Sequence, residues 1–136
     1  MLSTTAVEPA AGAAQDPGRA ARDPAGAGAD SVPAELPSGA TVLDVPYLPQ
    51  SELLCGGAAA AMVLRYWGMS GVRAEDFGHL VSEVRGGMRA DEITARIREL
   101  GWEVFPFPGR FEEVRRHVRL GRPVVSLLEV PGGFHY

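Results

Sequence analysis

The chain of 136 residues has one cysteine and no lysine. A single cysteine excludes an internal disulfide and a metal site built from several cysteines. All 13 basic residues are arginines and the formal net charge is −4, so the sequence has no basic excess of the kind that attracts nucleic acid or an anionic membrane. We therefore expect no nucleic-acid partner.

Long apolar runs are also missing. No stretch approaches the roughly 20 apolar residues of a membrane span. Residues 1–40 also lack the apolar run of a secretory signal peptide. We expect no membrane span in this chain. The location is left open: it is cytoplasmic by default, and the protein is exported if its true start lies upstream of Met1.

Large apolar side chains are rare in residues 1–40, where alanine, glycine and proline predominate. Such a composition buries too little surface to offset the conformational entropy that is lost on ordering. The sequence therefore predicts a disordered tail over residues 1–40 and a folded domain over residues 41–136.

The folded part alternates between helical and strand-like patterns, which indicates an α+β domain. Predicted helices cover residues 55–66, 74–84, 90–100 and 111–120; predicted strands cover 41–45, 102–107 and 123–130, and a returning strand begins at Phe134. Helical spacing places Val84 and Phe111 on the inner faces of their helices. The strand over 123–130 is too apolar for an uncovered edge, so we expect the native domain to continue beyond Tyr136.

The lone cysteine begins the most apolar of these helices. An isolated cysteine beside alanines is more often a small buried residue than a reactive one. Cys55, however, falls in the first turn, where the backbone N–H groups and the helix dipole favour the thiolate, which is the nucleophile. Gly56 and Gly57 leave the sulfur accessible and let another backbone approach closely. This context favours a nucleophilic role.

Two further residues complete a candidate site. Gln50 ends a proline-braced loop, and its amide could donate to an oxyanion together with the Cys55 backbone N–H. His135 follows a glycine turn at the start of a strand, which is a rigid position for a general base. Taken singly, each is more often an ordinary surface residue. Their occurrence together and in this order is what indicates a site.

Two segments carry a resemblance to a known family. Residues 45–50 (VPYLPQ) and 55–68 (CGGAAAAMVLRYWG) resemble the start of the peptidase C-39-like family, papain-fold relatives of the peptidases that process bacteriocin leaders. Residues 134–136 (FHY), after an apolar strand and a glycine turn, are similar to the histidine motif of that family. The resemblance covers about residues 41–136.

The resemblance implies a papain-like cysteine peptidase fold, with the cysteine on a central helix and an antiparallel sheet that is incomplete here. It implies Cys55 as the nucleophile, His135 as the base and Gln50 in the oxyanion hole. The implied substrate is a peptide or protein, cleaved through a thioester acyl-enzyme without a cofactor. The family's third triad residue, an Asp or Asn that orients the histidine, would lie beyond Tyr136. Leu54 stands where leader-processing members have an acidic residue.

Three hypotheses follow for the function. The chain is a cysteine peptidase, a non-catalytic module that holds an extended peptide in the same groove, or a truncated remnant without a stable fold. A metal site is not expected, because His79, His117 and His135 lie on separate elements without ligand spacing. The oligomeric state is left open.

Overall fold

The computed structural model describes residues 3–10, 38–51 and 53–136. The predicted α+β class is confirmed, because helices pack on a four-stranded antiparallel sheet in this part of the chain. The strands are β1 (Ser3–Pro9), β2 (Trp102–Pro108), β3 (Val124–Val130) and β4 (Gly133–His135). The α-helices are α1 (Cys55–Tyr66), α2 (Ala90–Glu99) and α3 (Phe111–Arg119), and two 3-10 helices cover Ala74–Leu80 and Glu83–Arg85.

The strand that begins the described chain lies inside the sheet. The strand order is β2-β1-β3-β4, and β1 pairs along its whole length with β2 and through residues 3–6 with β3. The prediction of a disordered tail is therefore wrong for Ser3–Pro9, while residues 1–2 and 11–37 of that tail lie outside the described residues. Composition averaged over 40 residues hid a short segment, STTAV, whose threonines and valine favour a strand.

The position of β1 also changes the expectation for β3. The apolar sequence of β3 indicated an uncovered edge, but β3 is paired with β1 on one side and with β4 on the other. The apolar strand thus finds its partner in the N-terminal segment.

Side chains of the sheet alternate between two faces, which we call the inner and the outer face. The register pairs Val7 with Val104 and Thr5 with Val125, so these side chains share the inner face, on which α1 and α2 pack. On the outer face, Phe107 stacks on His117 of α3 with ring centroids 4.7 Å apart. The sheet is therefore covered by helices on both faces.

Two side-chain contacts hold β1 and the start of β3 to the end of α1, and an ion pair holds them to each other. Pairing of β1 with β3 stops at Ala6, and beyond it the Trp67 indole N–H donates to the Val7 carbonyl at 2.7 Å. Arg122 forms an ion pair with Glu8. The Tyr66 hydroxyl donates to the Gly121 carbonyl at 2.9 Å. The C-terminal end of α1 thus anchors two strands at once.

The predicted helix over 55–66 is confirmed as α1, and it lies in the core. Ala58, Ala60, Ala61 and Leu64 have no exposed surface. The helix ends at Tyr66 with Trp67 as its C-cap, and Gly68 follows with φ 98°, a left-handed conformation that glycine adopts without a steric penalty. The predicted helices α2 and α3 and the strands β2, β3 and β4 are also found, and no predicted end differs from the observed one by more than one residue.

Two predicted elements are wrong. The helix over 74–84 is two 3-10 helices, because Ser82 and Gly87 exchange backbone hydrogen bonds of 2.9 and 3.1 Å that break the helical path. Val84, expected inside, is 99% exposed. The strand over 41–45 does not form; the Val45 N–H bonds to the Leu43 carbonyl at 2.9 Å, an i to i+2 contact that bends the chain.

The inner stripe predicted for α3 is wrong at one position. Phe111 is 75% exposed, whereas Val114, His117 and Val118 are half-buried. Because His117 stacks on the sheet, the contacting stripe is turned away from Phe111.

Among the described helices, none is long and apolar enough to cross a membrane.

The fold predicts that Val7 is a core residue. Val7→Ala should lower the free energy of unfolding by about 2 kcal/mol, since it removes two methyl groups from a site with no exposed surface. Val84→Ala, the same change at an exposed site, should change it by less than about 0.5 kcal/mol. Urea denaturation of both variants measures the difference, and equal effects would contradict the placement of β1.

Candidate functional site

Cys55 is the first residue of α1 and is partly exposed. The Ala58 N–H makes the first helical hydrogen bond, to the Leu54 carbonyl at 2.8 Å, so the N–H groups of residues 55–57 precede the helical ladder. Neither a side-chain cap nor an acidic residue occupies this first turn. The helix N-terminus therefore presents its positive end to the Cys55 side chain.

The two glycines after Cys55 are required by packing. A Cβ on Gly57 would lie 2.6 Å from the Ala74 carbonyl oxygen, and one on Gly56 would lie 2.6 Å from the Ile93 Cδ1 and 3.2 Å from the Tyr136 ring. The close backbone approach expected at this pair is thus found at Gly57. It draws the 3-10 helix over Ala74–Leu80 against α1.

An open cleft of about 630 Å³ borders Cys55. It lies between the start of α1, the segment that leads into α2, and the inner face of the β3–β4 hairpin. Its lining consists of Cys55, residues 85–91, Leu127, Gly132, Gly133, Phe134 and Tyr136. A sulfur in the first turn of a helix is therefore reached from a cavity large enough for several residues of an extended peptide.

The charges at the cleft are paired. Arg89 donates to the Asp91 carboxylate at 2.8 and 2.9 Å, and Arg85 lies 3.2 Å from Glu92. The hydrogen bond from Arg89 lowers the pKa of the Asp91 carboxyl. Asp91 therefore stays ionised near neutral pH and is no proton donor there.

The Tyr136 ring packs over the start of α1 and is half-buried there. Its ring contacts Gly56, and its hydroxyl lies 3.4 Å from the Met88 carbonyl oxygen. Burial raises the pKa of Tyr136 to about 12, and the charges of Cys55, Asp91 and Glu92 add to the rise. The phenol is therefore protonated at neutral pH and serves as a donor, not as a base.

His135 lies on the other face of the sheet. It pairs with Leu128 in β4, and Leu128 alternates with Leu127, which lines the cleft on the inner face. Residues directly opposite each other share a face, so His135 faces outward with Leu128, and it is exposed. The structure thus brings Tyr136, and not His135, to the Cys55 side of the sheet.

Gln50 is exposed and is not among the residues that line the cleft. It stands before a tight turn in which Leu53 adopts φ 66°, an uncommon conformation for a leucine. The turn positions Leu54, whose carbonyl accepts the first hydrogen bond of α1. Of the three predicted site residues, the structure places Cys55 in the cleft and the other two outside its lining.

Sequence reasoning missed the aromatic wall of the cleft, Phe134 and Tyr136. The two-residue period of a strand could have predicted this wall, because side chains 134 and 136 lie on one face of the strand and side chain 135 lies on the other. It also missed the arginine–carboxylate pairs, which arise from residues before and within the first turn of α2. In the described ranges, no three His, Cys, Asp or Glu side chains gather as a metal site would require.

Comparison with family models, with curated proteins and with solved structures gives no match for this chain. The site is therefore described by its own geometry.

The packing of α1 predicts unequal effects at its glycines. Gly57→Ala should lower the free energy of unfolding by about 1–3 kcal/mol, because the added methyl group meets a backbone oxygen. Gly78→Ala is the matched control, since nothing lies within 4 Å of its Cβ position. Thermal unfolding of the two variants measures this, and a neutral Gly57→Ala would contradict the close approach.

The buried phenol predicts a stability slope at high pH. The pKa of Tyr136 in the folded state, about 12, lies above the ordinary value near 10. Between these values the folded protein keeps a proton that the unfolded chain has lost, so stability falls as the pH rises from about 10 to 12. Tyr136→Phe should remove this part of the slope in urea titrations, whereas Tyr47→Phe, at an 80% exposed side chain, should retain it.

Proposed function

We propose that this chain contains the site of a cysteine peptidase of papain-like fold, with Cys55 as its nucleophile. The observation that carries the proposal is the position of Cys55, which begins a buried helix and lines an open cleft. The positive end of the helix lies at Cys55, and the cleft gives a peptide access to this residue. The likeness of residues 45–68 to the peptidase C-39-like family supports the same reaction.

The proposed reaction has two steps. The Cys55 thiolate attacks the carbonyl carbon of a peptide bond, a carbon–sulfur bond forms, and the amine leaves with a proton. Water then hydrolyses the thioester and restores the thiol. The N–H groups of residues 55–57 precede the helical hydrogen bonds of α1 and can donate to the oxyanion. The resemblance adds the Gln50 amide as a donor and makes His135 the group that carries the proton.

A second candidate is a module that holds an extended peptide without cleaving it. The specific observation in its favour is the outward position of His135, which leaves the Cys55 face of the described hairpin with a protonated phenol instead of an imidazole. In this candidate the cleft and its aromatic wall would still bind a peptide. The two candidates differ in whether Cys55 is needed.

The test is cleavage of a mixture of synthetic peptides, followed by mass spectrometry. New peptide termini and an acyl group on Cys55 are expected for the wild-type chain, and both should be lost in Cys55→Ala. Cys55→Ser should reduce cleavage by at least about 100-fold, because a hydroxyl is a much weaker nucleophile than a thiolate at neutral pH. Ser70→Ala, at an exposed residue beyond the C-terminal end of α1, is the matched control and should be fully active.

Cleavage that persists in Cys55→Ala would refute the peptidase proposal. Absence of cleavage by the wild-type chain, with peptide binding that survives Cys55→Ala, would identify the non-catalytic module instead. Alkylation of Cys55 by iodoacetamide separates the cases further, since the peptidase requires a thiol that reacts rapidly below pH 7 and slows in His135→Ala.

A further inference from the structure

The exposed side of α3 carries arginines without an ion pair. Glu112 and Glu113 lie in the first turn of this helix, and Arg115, Arg116 and Arg119 follow them. All three arginines are exposed. Within the described part of the chain, none of their guanidinium groups forms an ion pair with a carboxylate. The glutamates of the helix therefore leave the positive charge of its exposed side uncompensated.

Helix α2 has a similar charge pattern but a different outcome. It also has acidic residues in its first turn and arginines in its last turn. There, Arg96 pairs with Glu99 at 3.1 Å, and Arg98 donates to the Val104 carbonyl at 2.9 Å. The arginines of α2 thus have partners inside the domain. Those of α3 are directed to solvent, where a partner from outside the domain can reach them.

The three arginines of α3 border one open pocket of about 330 Å³. Glu112 and Leu120 complete its lining, so three guanidinium groups meet a single carboxylate there. Like charges three and four residues apart on a helix repel each other, and Arg119 has both spacings to the other two arginines. A guanidinium group binds a carboxylate through two parallel hydrogen bonds. Further carboxylates that enter the pocket would therefore relieve the repulsion and find donors of matching geometry.

Two exposed apolar side chains flank these arginines. Phe111, one turn before Arg115, is 75% exposed, and Leu120, one turn after Arg116, is 56% exposed. Arginine and aromatic residues are enriched at protein–protein interfaces, where they supply much of the binding energy. A small inorganic anion would leave the two apolar side chains in water. A peptide with both acidic and apolar residues would cover them.

We propose that the exposed side of α3, which we call the arginine face (Phe111, Arg115, Arg116, Arg119 and Leu120), docks an acidic segment of a partner protein. Carboxylates of the segment pair with the guanidinium groups in the pocket, and its apolar side chains cover the two ends of the face. A nucleic acid is disfavoured, because the chain has a net charge of −4. The arginine face lies on the outer side of the sheet, so the docking does not depend on the proposed peptidase function.

The test uses the full chain and two labelled synthetic peptides. One contains glutamate, leucine and serine, and in the other each glutamate is replaced by glutamine. Fluorescence anisotropy should show that the glutamate peptide binds at least about tenfold more tightly than the glutamine peptide, since only the first forms ion pairs. The double variant Arg115→Gln, Arg119→Gln should bind the glutamate peptide at least about tenfold more weakly than the wild-type chain.

The matched control is the double variant Arg73→Gln, Arg96→Gln. It removes the same charge from elements that pack on the inner side of the sheet, and it should bind within about twofold of the wild-type chain. Thermal unfolding of both double variants checks that the fold is retained. Equal losses in the two variants would show that net charge, and not the arginine face, governs binding, and would overturn the proposal.

The apolar part of the arginine face is tested separately. Phe111→Ala should weaken binding of the glutamate peptide at least about fivefold, because the ring no longer covers the leucines of the peptide. Val84→Ala, at a 99% exposed apolar side chain of another element, should leave the affinity unchanged. Binding that needs the arginines but is unaffected by Phe111→Ala would describe attraction of any anion and would refute docking of a protein segment.

Two further results would also refute the proposal. One is equal affinity of the wild-type chain for the two peptides, or no binding of either. The other is a DNA duplex that binds through the same arginines more tightly than the glutamate peptide does, since that result would assign the arginine face to nucleic acid.

Discussion

The insertion of β1 between β2 and β3 is the constraint on which the rest of the domain depends. Without β1, the apolar β3 would be paired on one edge only, and β2 would have no strand beside it. The Trp67 indole and Val7 carbonyl then tie the end of α1 to this strand, and Arg122 with Glu8 ties the start of β3 to it. The helix that carries Cys55 is thus oriented from its C-terminal end by a segment more than 40 residues away in sequence.

The opposite end of α1 is shaped by close packing. Gly57 admits the backbone of the Ala74–Leu80 turn, and Gly56 admits the Ile93 side chain and the Tyr136 ring. The same contacts that fill the core therefore crowd the start of the helix on two sides and leave Cys55 open on the third, toward the cleft. Cys55 is partly exposed because neither the Ala74–Leu80 turn nor the Tyr136 ring covers the side that borders the cleft. The paired charges of Arg89 with Asp91 and Arg85 with Glu92 then border this opening.

The chemistry at the cleft depends on one feature of the sheet, the pairing of β4. Successive side chains of a strand point to opposite faces of the sheet, so only one of residues 135 and 136 can lie on the same face as the Cys55 sulfur. The phenol of Tyr136 and the imidazole of His135 differ in the property that matters, because the raised pKa of the phenol keeps its proton on at neutral pH.

The sequence alone determined the helix that carries Cys55, its glycine stop, α2 and the strands β2 and β3, because their apolar periods and end signals are local. It also indicated the cysteine at a helix start, since that position needs no distant residue. Only the tertiary structure decided the place of β1, whose short apolar segment is lost in an alanine-rich composition and acquires meaning when two strands flank it. The face on which His135 lies was likewise decided there, because register is a relation between two strands that neither strand contains by itself.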